Sequence, residues 1–383
     1  MASIYIENYG CIANYDDGAI IAGLLIENNY SIVKDVEESD VVIINSCAVK
    51  NVTVNKIFYQ IEEICKKYKD KKLIITGCMP SAEREKLDKY MKEGVGLVSS
   101  QNIIQIPEIV ERVLNNEQVI LTTKNKTIKL GLPKYVEKNT KICSIQIAQG
   151  CLSVCRFCST KLAKGNLVSY PKEKIVEEVK EYVKKGYRII NLTSTDNGCY
   201  GFDLKYNLSD LINEVVKIEG NFQLRIGMGN PQHMKYYYKD LIQAYKNEKV
   251  LKFLHIPIQS GSNKVLKEMR RDYTIEELKE IVEEFRKEIN GITISTDIIV
   301  GYPTEDDEDF KETVELVKEI SFEVINISKF ASRTGTYASK LKQLSSQKIK
   351  ERSVELAKVY NEIKEKNKSK IEQQETRLKI IEA

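Results

Sequence analysis

Short apolar runs alternate with amphipathic stretches from residue 3 to about residue 128. The runs, which predict strands, span residues 4–6, 41–44, 73–75 and 96–98. Between them, apolar side chains recur at helical spacing, as at Ile57, Ile61 and Ile64. Strands that alternate with helices build parallel sheets. This part of the chain is therefore predicted to be α/β, with an open parallel sheet of Rossmann-like form.

A second series of strands follows, again separated by helical patterns. The predicted strands span residues 144–148, 189–194, 223–228, 253–259, 293–300 and 324–330. The predicted helices span residues 171–185, 208–218, 234–246, 263–288 and 307–320. Successive strand–helix units predict an open, partial (β/α)6 barrel, whose ligands bind at the carboxyl ends of the strands.

These patterns divide the chain into four parts. The predicted parts are a sheet domain over residues 1–125, a polar and basic linker over 126–140, the barrel over 141–340 and a basic helical segment over 341–383. The apolar run near the start covers only residues 19–26 and follows two aspartates, so neither a secretory signal nor a membrane span is expected. We therefore expect a cytoplasmic protein without membrane contacts.

Charge and cysteine content limit the binding partners and the kinds of site that the chain can have. The 59 Lys and Arg nearly balance 55 Asp and Glu, so the formal charge of +4 gives no general attraction to nucleic acid or membranes. Nine cysteines without an export signal indicate thiolates used for metal or redox chemistry rather than a disulfide framework. Cys65, Cys143 and Cys199 are expected to be packing residues.

Cys151, Cys155 and Cys158 form a C-x3-C-x2-C motif directly after the first barrel strand. Iron–sulfur clusters are held by thiolates, and three protein ligands on a four-iron cluster leave one iron open for another ligand. Zinc is the alternative ion. A structural zinc site needs a fourth Cys or His nearby, and residues 159–192 contain neither.

A second set of cysteines follows strands of the first domain. Cys11, Cys47 and Cys78 end the segments YGC, NSC and TGC, each of which comes directly after a predicted strand. The loops after the carboxyl ends of parallel strands share one edge of the sheet. These three cysteines can therefore meet although they are far apart in sequence.

The C-x3-C-x2-C motif, with Phe157 before its last cysteine, resembles that of the radical S-adenosylmethionine (SAM) superfamily. The segments 144–171, 192–203, 224–231, 253–262 and 296–303, together with the YGC, NSC and TGC segments, resemble the methylthiotransferase family. Within that family, they are most similar to the archaeal and eukaryotic branch that acts on N6-threonylcarbamoyladenosine next to the tRNA anticodon.

The resemblance implies two 4Fe-4S clusters and SAM as both radical source and methyl donor. Cys151, Cys155 and Cys158 would hold the cluster that splits SAM, and the resulting radical would abstract hydrogen from carbon 2 of the modified adenine. Sulfur would come from a second cluster, held by Cys11, Cys47 and Cys78. The implied partners are tRNA and an electron donor such as ferredoxin or flavodoxin, and the sulfur source is not indicated.

Residues of the cysteine motif and of the barrel strand ends are the candidate SAM contacts. By analogy with the fold they are Phe157, Thr193, Ser194, Asp196, Arg225, Gln259, Ser260, Ile299 and Gly301. Arg225 is the charged candidate, because a guanidinium on an inward strand needs a carboxylate partner and SAM offers one. An ion pair with a protein acid is the alternative for Arg225, and turn formation alone can explain Ser260.

Two features depart from the family pattern. Relatives normally end in a small β-barrel RNA-binding module, the TRAM domain, which is expected to be absent or truncated in a chain ending at Ala383. Lys164 and Gly165 stand where relatives usually have Arg-Gly, which keeps the charge but loses the bidentate fork.

Without that module, the phosphate contacts to tRNA are expected from local basic segments, namely Lys124 to Lys129 and the helix from Lys348 to Lys370, including Arg352. The same chemistry on another nucleoside or on a protein side chain is one alternative function. A non-catalytic iron–sulfur protein that binds RNA is another.

Overall fold

The computed structural model describes residues 2–135 and 140–366. Its contacts divide the chain into two compact units. The first contains the residues up to Thr140 together with Gln149–Cys151 and Ser159–Val168. The second contains Lys141–Ala148, Leu152–Cys158 and the chain from Ser169 onward.

The first unit is built on a six-stranded sheet in which all neighbouring strands are parallel. Its strands are β1 (Ser3–Asn8), β2 (Ser31–Val33), β3 (Val41–Ser46), β4 (Lys72–Gly77), β5 (Val95–Ser99) and β6 (Val119–Leu121). Their order in the sheet is β2-β1-β3-β4-β5-β6. The predicted parallel sheet is confirmed, and the short strands β2 and β6 extend it at both edges.

Helices cover both faces of this sheet. They are α1 (Ile12–Glu27), α2 (Asn51–Lys67), α3 (Met79–Ala82), α4 (Arg84–Leu87), α5 (Ile106–Leu114) and α6 (Ser159–Lys164). Alternate residues of a strand point to opposite faces, so Val42 and Ile44 pack with Ile61 of α2, whereas Ile43 packs with Ile20 of α1. The central strand β3 is consequently buried along its whole length.

The second unit contains the barrel strands. The strands that follow β6 are β7 (Ile142–Gln146), β8 (Ala148–Gln149), β9 (Val168–Ser169), β10 (Ile189–Thr193), β11 (Gln223–Ile226), β12 (Phe253–His255), β13 (Thr293–Val300) and β14 (Val324–Lys329). Two parallel three-stranded ladders, β7-β10-β11 and β12-β13-β14, form its wall. The Gly229 amide donates to the His255 carbonyl oxygen at 2.9 Å and joins the ladders. The predicted partial barrel is confirmed.

The helices of this unit separate the barrel strands. They are α7 (Lys172–Lys184), α8 (Leu208–Val215), α9 (Pro231–Met234), α10 (Tyr238–Tyr245), α11 (Asn263–Glu268), α12 (Ile275–Glu288), α13 (Asp307–Ile320) and α14 (Ser346–Lys366). The predicted single helix over residues 263–288 is wrong. Arg270 has a left-handed φ of 55°, and Thr274 starts α12 with a capping box in which Glu277 returns a hydrogen bond.

Ion pairs of the buried Arg352 fix α14 on the barrel. The Arg352 guanidinium is 2.6 Å from a carboxylate oxygen of Glu305 and 2.8 Å from one of Asp307. Because Arg352 is only 3% exposed, its predicted role as an RNA contact is wrong. The remainder of the predicted basic segment, residues 367–383 with Lys368 and Lys370, lies outside the described residues.

Across residues 2–135 and 140–366, every helix is too short or too polar to cross a bilayer.

Candidate metal centres

Cys11, Cys47 and Cys78 stand at the carboxyl ends of three adjacent strands of the first unit, β1, β3 and β4. Cys47 and Cys78 come directly after their strands, and Cys11 precedes the first residue of α1. Gly10 brings the Cys11 loop against Cys47, since a Cβ added to Gly10 would lie 2.6 Å from the Cys47 Cβ. The sheet thus places the three residues, hereafter the strand-end trio, at one edge, as the sequence predicts.

Asn14 ties the loops of this trio together. Its side-chain amide donates to the carbonyl oxygens of Tyr9, at 2.9 Å, and Ser46, at 2.8 Å. Its amide oxygen lies 3.9 Å from the Cys78 sulfur. Gly77 has a φ of +90°, and a Cβ there would lie 2.3 Å from the Ser46 carbonyl oxygen. The spacing of β3 and β4 at the site therefore requires glycine at position 77.

The strand-end trio has a buried side and an open side. Cys47 and Cys78 are buried, whereas Cys11 is exposed. Burial raises the pKa of Cys47 and raises the pKa of Cys78 to about 12. Buried thiols become thiolates when positive charge offsets the cost of desolvation, which is what a bound metal provides. Three sulfur donors with one open side suit a cluster that keeps one iron accessible.

A buried cation accompanies the strand-end trio. The Lys164 ammonium lies 3.2 Å from one carboxylate oxygen of Asp17, and the Lys129 ammonium contacts the other. Burial alone would lower the pKa of Lys164, but Asp17 and the thiols of Cys78 and Cys11 hold it above its usual value. Because Lys129 is itself only 2% exposed, the prediction that it contacts RNA phosphates is wrong.

Cys151 belongs to the first unit. Its amide donates to the Gly165 carbonyl oxygen at 3.3 Å, and the Lys161 ammonium donates to its carbonyl oxygen. Gly150 has a φ of +69°, and a Cβ at that position would lie 2.0 Å from the Asn166 carbonyl oxygen. The start of the C-x3-C-x2-C motif is therefore fixed by backbone contacts with the segment that follows α6.

Cys155 and Cys158 belong to the second unit, where their backbone forms a tight turn with a 3.2 Å hydrogen bond from the Cys158 amide to the Cys155 carbonyl oxygen. The Arg156 amide donates to the Met269 carbonyl oxygen at 3.0 Å. Phe157 packs against the hydrophobic cluster of Val265, Met269, Tyr302, Phe330 and Ala338. The aromatic residue of the motif thus anchors the cysteine loop to the barrel.

Arg271 is a residue that the sequence did not bring to attention. It is 6% exposed, and one guanidinium nitrogen lies 3.9 Å from the Cys155 sulfur while the other donates to the Pro257 carbonyl oxygen. Burial alone would lower the pKa of Arg271, but the Tyr273 phenol and the Cys155 thiol raise it. A fixed positive charge therefore faces a sulfur of the motif.

A cluster of polar side chains fixes the position of Ser153, which lies within the C-x3-C-x2-C motif. The Ser153 hydroxyl oxygen lies 2.8 Å from the His233 Nε2 and accepts a 3.2 Å hydrogen bond from Asn230. The same His233 nitrogen lies 3.6 Å from Asp196. In a catalytic triad, the histidine contacts the nucleophile with one ring nitrogen and the acid with the other. Here Ser153 and Asp196 both lie near Nε2, so the arrangement supports the loop and is not a triad. Burial lowers the pKa of His233 and favours its neutral form.

Several of the residues predicted to contact SAM form hydrogen bonds that stabilise the loops in which they lie. Ser194 donates to the side chain of Asn197, and Asp196 accepts hydrogen bonds from the amides of Gly198 and Asn230 at 2.9 Å. Ser260 is fully buried, with its hydroxyl 3.4 Å from that of Thr313. These contacts shape the ends of β10 and β12.

The other candidates lie along the barrel wall. Thr193 ends β10 and is 7% exposed. The Arg225 guanidinium lies 5.0 Å from the ring centre of Phe253. Gln259 has a left-handed φ of 71°, and its carbonyl oxygen accepts from the Ile299 amide at 2.9 Å.

Ile299 packs against the same hydrophobic cluster as Phe157. Gly301 has a φ of +81°, and a Cβ there would lie 2.5 Å from Ile349 of α14. The lack of a side chain at Gly301 therefore allows α14 to pack closely against this loop. Contacts of these residues with SAM stay a prediction.

The three other cysteines sit in packed surroundings. Cys65 packs at the edge of the first unit's core, and Cys143 is buried in β7. The Cys199 thiol is buried and donates to the Asp196 carbonyl oxygen at 3.3 Å. The locations of Cys65 and Cys143 agree with packing roles, whereas a packing role of Cys199 stays a prediction.

Two family models match the chain. Residues 145–317 match the Radical SAM superfamily, and residues 3–98 match Uncharacterized protein family UPF0004. The first match contains the C-x3-C-x2-C motif, and the second contains all three cysteines of the strand-end trio.

Curated relatives are similar over nearly the whole chain. A protein of Pyrococcus horikoshii described as "probable threonylcarbamoyladenosine tRNA methylthiotransferase" is 44% identical over 356 residues, which cover 92% of this chain and 82% of that protein. A Methanocaldococcus jannaschii protein of the same description is 37% identical, with 96% and 84% covered. The human threonylcarbamoyladenosine tRNA methylthiotransferase is 37% identical, with 94% and 62% covered.

A solved structure shares the fold. The radical S-adenosylmethionine methyltransferase TsrM from Kitasatospora setae aligns with a TM-score of 0.64 and 14% identity, covering 88% of this chain and 76% of that chain. At this identity the likeness concerns the fold alone.

Proposed function

Because the chain belongs to the threonylcarbamoyladenosine tRNA methylthiotransferase family, we propose that it adds a methylthio group to carbon 2 of N6-threonylcarbamoyladenosine next to the tRNA anticodon. It is a radical SAM methylthiotransferase and uses SAM with a 4Fe-4S cluster. The observation that carries the proposal is the presence of the strand-end trio in a chain that also has the C-x3-C-x2-C motif.

The donor sets fit two clusters. Cys151, Cys155 and Cys158 would hold the cluster of the radical SAM motif. The strand-end trio would hold the second, because two of its three thiols are buried near the helix that carries Lys164 and the third, that of Cys11, is exposed. When bound, the clusters would supply the electron that cleaves SAM and the sulfur that is transferred. A low-potential donor such as ferredoxin or flavodoxin would deliver the electron in the cytoplasm.

The protein's own residues orient and shield these groups. Phe157 and Ser153 fix the motif loop through the hydrophobic cluster and through His233. Among the candidate SAM contacts, Arg225 and Thr193 have side chains on barrel strands, where they can meet the carboxylate and amino groups of SAM.

Exposed lysines are the candidates for tRNA phosphates. Lys124 and Lys126 are exposed in the first unit, and Lys350, Lys358 and Lys364 are exposed on α14 in the second. Each neutralised phosphate releases counterions, so tRNA affinity should fall steeply with salt. Replacing the exposed lysines of either set by glutamine should flatten this dependence, and replacing the buried Lys129 serves as the control.

The substrate is tested in tRNA from a strain that lacks this gene. Nucleoside mass spectrometry should find N6-threonylcarbamoyladenosine without the methylthio group, and the parent gene should restore the modified form. A gene with Cys11, Cys47 and Cys78 changed to Ala should not restore it. If the methylthiolated nucleoside persists in the deletion strain, this substrate is wrong and another nucleoside or a protein side chain takes its place.

A further inference from the structure

We propose that His255, Asp297 and Asn326, hereafter the inner-face group, bind the urea of the substrate's N6-substituent inside the barrel. A threonylcarbamoyl group is joined to the adenine N6 through such a urea. The three residues then select the substrate by hydrogen bonding and take part in no bond change. The inference rests on the proposed function, because it takes this modified adenine as the substrate.

The inner-face group lies on three adjacent strands of one barrel ladder. His255 is on β12, Asp297 on β13 and Asn326 on β14. Asp297 and Asn326 are register partners in the parallel pair of β13 and β14, and the His255 Nε2 lies 2.7 Å from a carboxylate oxygen of Asp297. Neighbouring strands are about 4.8 Å apart, so the three side chains form one continuous polar surface.

This surface is on the face of the ladder that the cysteine motif also meets. Asp297 is partly exposed and Asn326 is exposed, whereas Ile298 is fully buried. Alternate residues of a strand point to opposite faces, so Ile299 shares the face of Asp297. Ile299 packs against the hydrophobic cluster that also contacts Phe157 of the motif. The inner-face group therefore lies on the side of the ladder that faces the barrel interior.

The side chains of this group have unused hydrogen-bonding capacity. Within residues 2–135 and 140–366, the contact between His255 and Asp297 is the only side-chain hydrogen bond of the group. A carboxylate accepts hydrogen bonds, so the proton of this contact is on Nε2, and Nδ1 is left for another partner. The side chains of His255 and Asp297 are 22% and 29% exposed. A ligand in the barrel can therefore reach them.

A urea matches this set of groups. It offers two N–H donors and one carbonyl acceptor, and the Asn326 side-chain amide offers a complementary donor and acceptor. The second carboxylate oxygen of Asp297 and the His255 Nδ1 can accept further hydrogen bonds from the ligand. A urea is uncharged, so it places no second negative charge beside Asp297. An unsubstituted adenine would leave these polar groups unpaired, which is how such sites discriminate.

The position of the group along the strands agrees with the reaction. Asp297 precedes Ile299 and Gly301, two candidate SAM contacts, by two and four residues. At about 3.3 Å per residue, the group lies roughly 7–13 Å below the strand end where SAM is predicted. An adenine with carbon 2 toward SAM directs its N6-substituent away from SAM, toward this level. Asn326 is on an edge strand of the barrel wall, where a nucleotide can enter.

The test compares the affinities of two RNAs for the whole 383-residue chain, reconstituted with iron and sulfide. One RNA is a tRNA transcript, and the other is the same transcript after enzymatic threonylcarbamoylation. SAM is present and reductant is left out, so that no turnover occurs. The variants are His255→Phe, Asp297→Asn and Asn326→Leu. Asn221→Leu is the matched control, because Asn221 is an exposed asparagine just before β11. Iron content and thermal unfolding verify that each variant is folded.

We expect the parent to bind the modified transcript about tenfold more tightly than the unmodified one. Each variant of the inner-face group should reduce this preference by about three- to tenfold, the scale of one hydrogen bond. Asn221→Leu should leave the preference unchanged. Affinity for the unmodified transcript should stay within about twofold in all variants, because it depends on phosphate contacts elsewhere.

Three results would overturn the inference. Equal weakening of both transcripts would show that the group supports the barrel or contacts RNA in general. A preference retained in all three variants would show that the substituent is bound elsewhere, and a parent without any preference would show that it is not bound. Failure of the proposed function is distinguishable from these results, because the deletion strain would then keep the methylthiolated nucleoside whatever the affinities are.

Discussion

Cys151, Cys155 and Cys158 are neighbours in sequence, whereas Cys11, Cys47 and Cys78 come together only because β1, β3 and β4 are adjacent in a parallel sheet. Each set nevertheless has a buried cation in its part of the fold: Arg271 lies 3.9 Å from the Cys155 sulfur, and Lys164 follows Ala163, which packs in the same core as Cys47 and Cys78. A motif contained in one loop depends mainly on the identity of its residues. A site made of strand ends depends on the packing that aligns the strands.

The largest effect is expected from removing either set completely. Changing Cys151, Cys155 and Cys158 to Ala should abolish cleavage of SAM to 5′-deoxyadenosine and remove about four of roughly eight irons. Changing Cys11, Cys47 and Cys78 to Ala should remove a similar amount of iron but leave SAM cleavage largely intact, while methylthiolation disappears. Iron analysis and chromatography of the products measure both.

The two triple variants separate radical formation from sulfur delivery. If a folded variant without the strand-end trio loses both activities, this division is wrong. If the parent protein holds only about four irons, the strand-end trio is not a cluster site.

A smaller change should break the strand-end trio through packing alone. Gly77→Ala forces a left-handed residue that costs about 1–2 kcal/mol and places a Cβ against the Ser46 carbonyl oxygen. We expect about half the iron to be lost while SAM cleavage persists. Gly131→Ala is the matched control, because Gly131 has a similar φ of +74° but nothing within 4 Å of the added Cβ. Equal iron loss in both variants would contradict the packing argument.

Replacing Arg271 should have a moderate effect on the cluster held by the C-x3-C-x2-C motif. Arg271→Gln removes the charge that faces Cys155, so the cluster of the motif should become harder to reduce and SAM cleavage several-fold slower. Arg271→Lys keeps the charge and should fall between Arg271→Gln and the parent. Potentials are measured with Cys11, Cys47 and Cys78 changed to Ala, and an unchanged potential in Arg271→Gln would exclude an electrostatic role.

The smallest effect concerns pH and His233. Burial lowers the pKa of His233, with Asp196 and Asp272 opposing this effect and Arg271 adding to it. Because the unfolded chain takes up the proton first as the pH falls, the stability from the neutral ring is present above pH 6.5 and is lost below it. Urea unfolding between pH 5 and 8 should show this loss in the parent and a weaker one in His233→Gln.

His255→Gln is the control for this measurement, because His255 is the only other histidine and lies 2.7 Å from Asp297 on the barrel wall. If the pH dependence of unfolding changes equally in both variants, it does not arise from His233 in particular.

The sequence predicts the strands well because the apolar runs that mark them fill buried sheet positions, as in β3 and β13. It misses β2 and β6, because these edge strands are only three residues long and a short apolar run does not distinguish a strand from a helix. The break between α11 and α12 is missed because apolar residues continue at helical spacing on both sides, while the conformation of Arg270 depends on the tertiary fold.

Both cysteine sets are recognisable from sequence, one by its spacing and the other because each cysteine follows a strand. Their supporting residues are not, since such contacts join residues far apart in the chain. Arg271 follows Cys155 by 116 positions, and Lys164 follows Asp17 by 147. Nothing local marks either side chain as a cation beside sulfur, so only the fold identifies them.

The buried ion pair between Arg352 and Glu305 limits where a shortened version of this enzyme can end. A chain cut at residue 340, where the barrel pattern ends, would lose Arg352 and leave the 3%-exposed carboxylate of Glu305 unpaired. Breaking a buried ion pair in this way costs about 3–5 kcal/mol. Glu305 also accepts from the Gly301 amide at 3.0 Å, so the cut would loosen the end of β13. A minimal catalytic fragment should therefore retain the chain through Lys366.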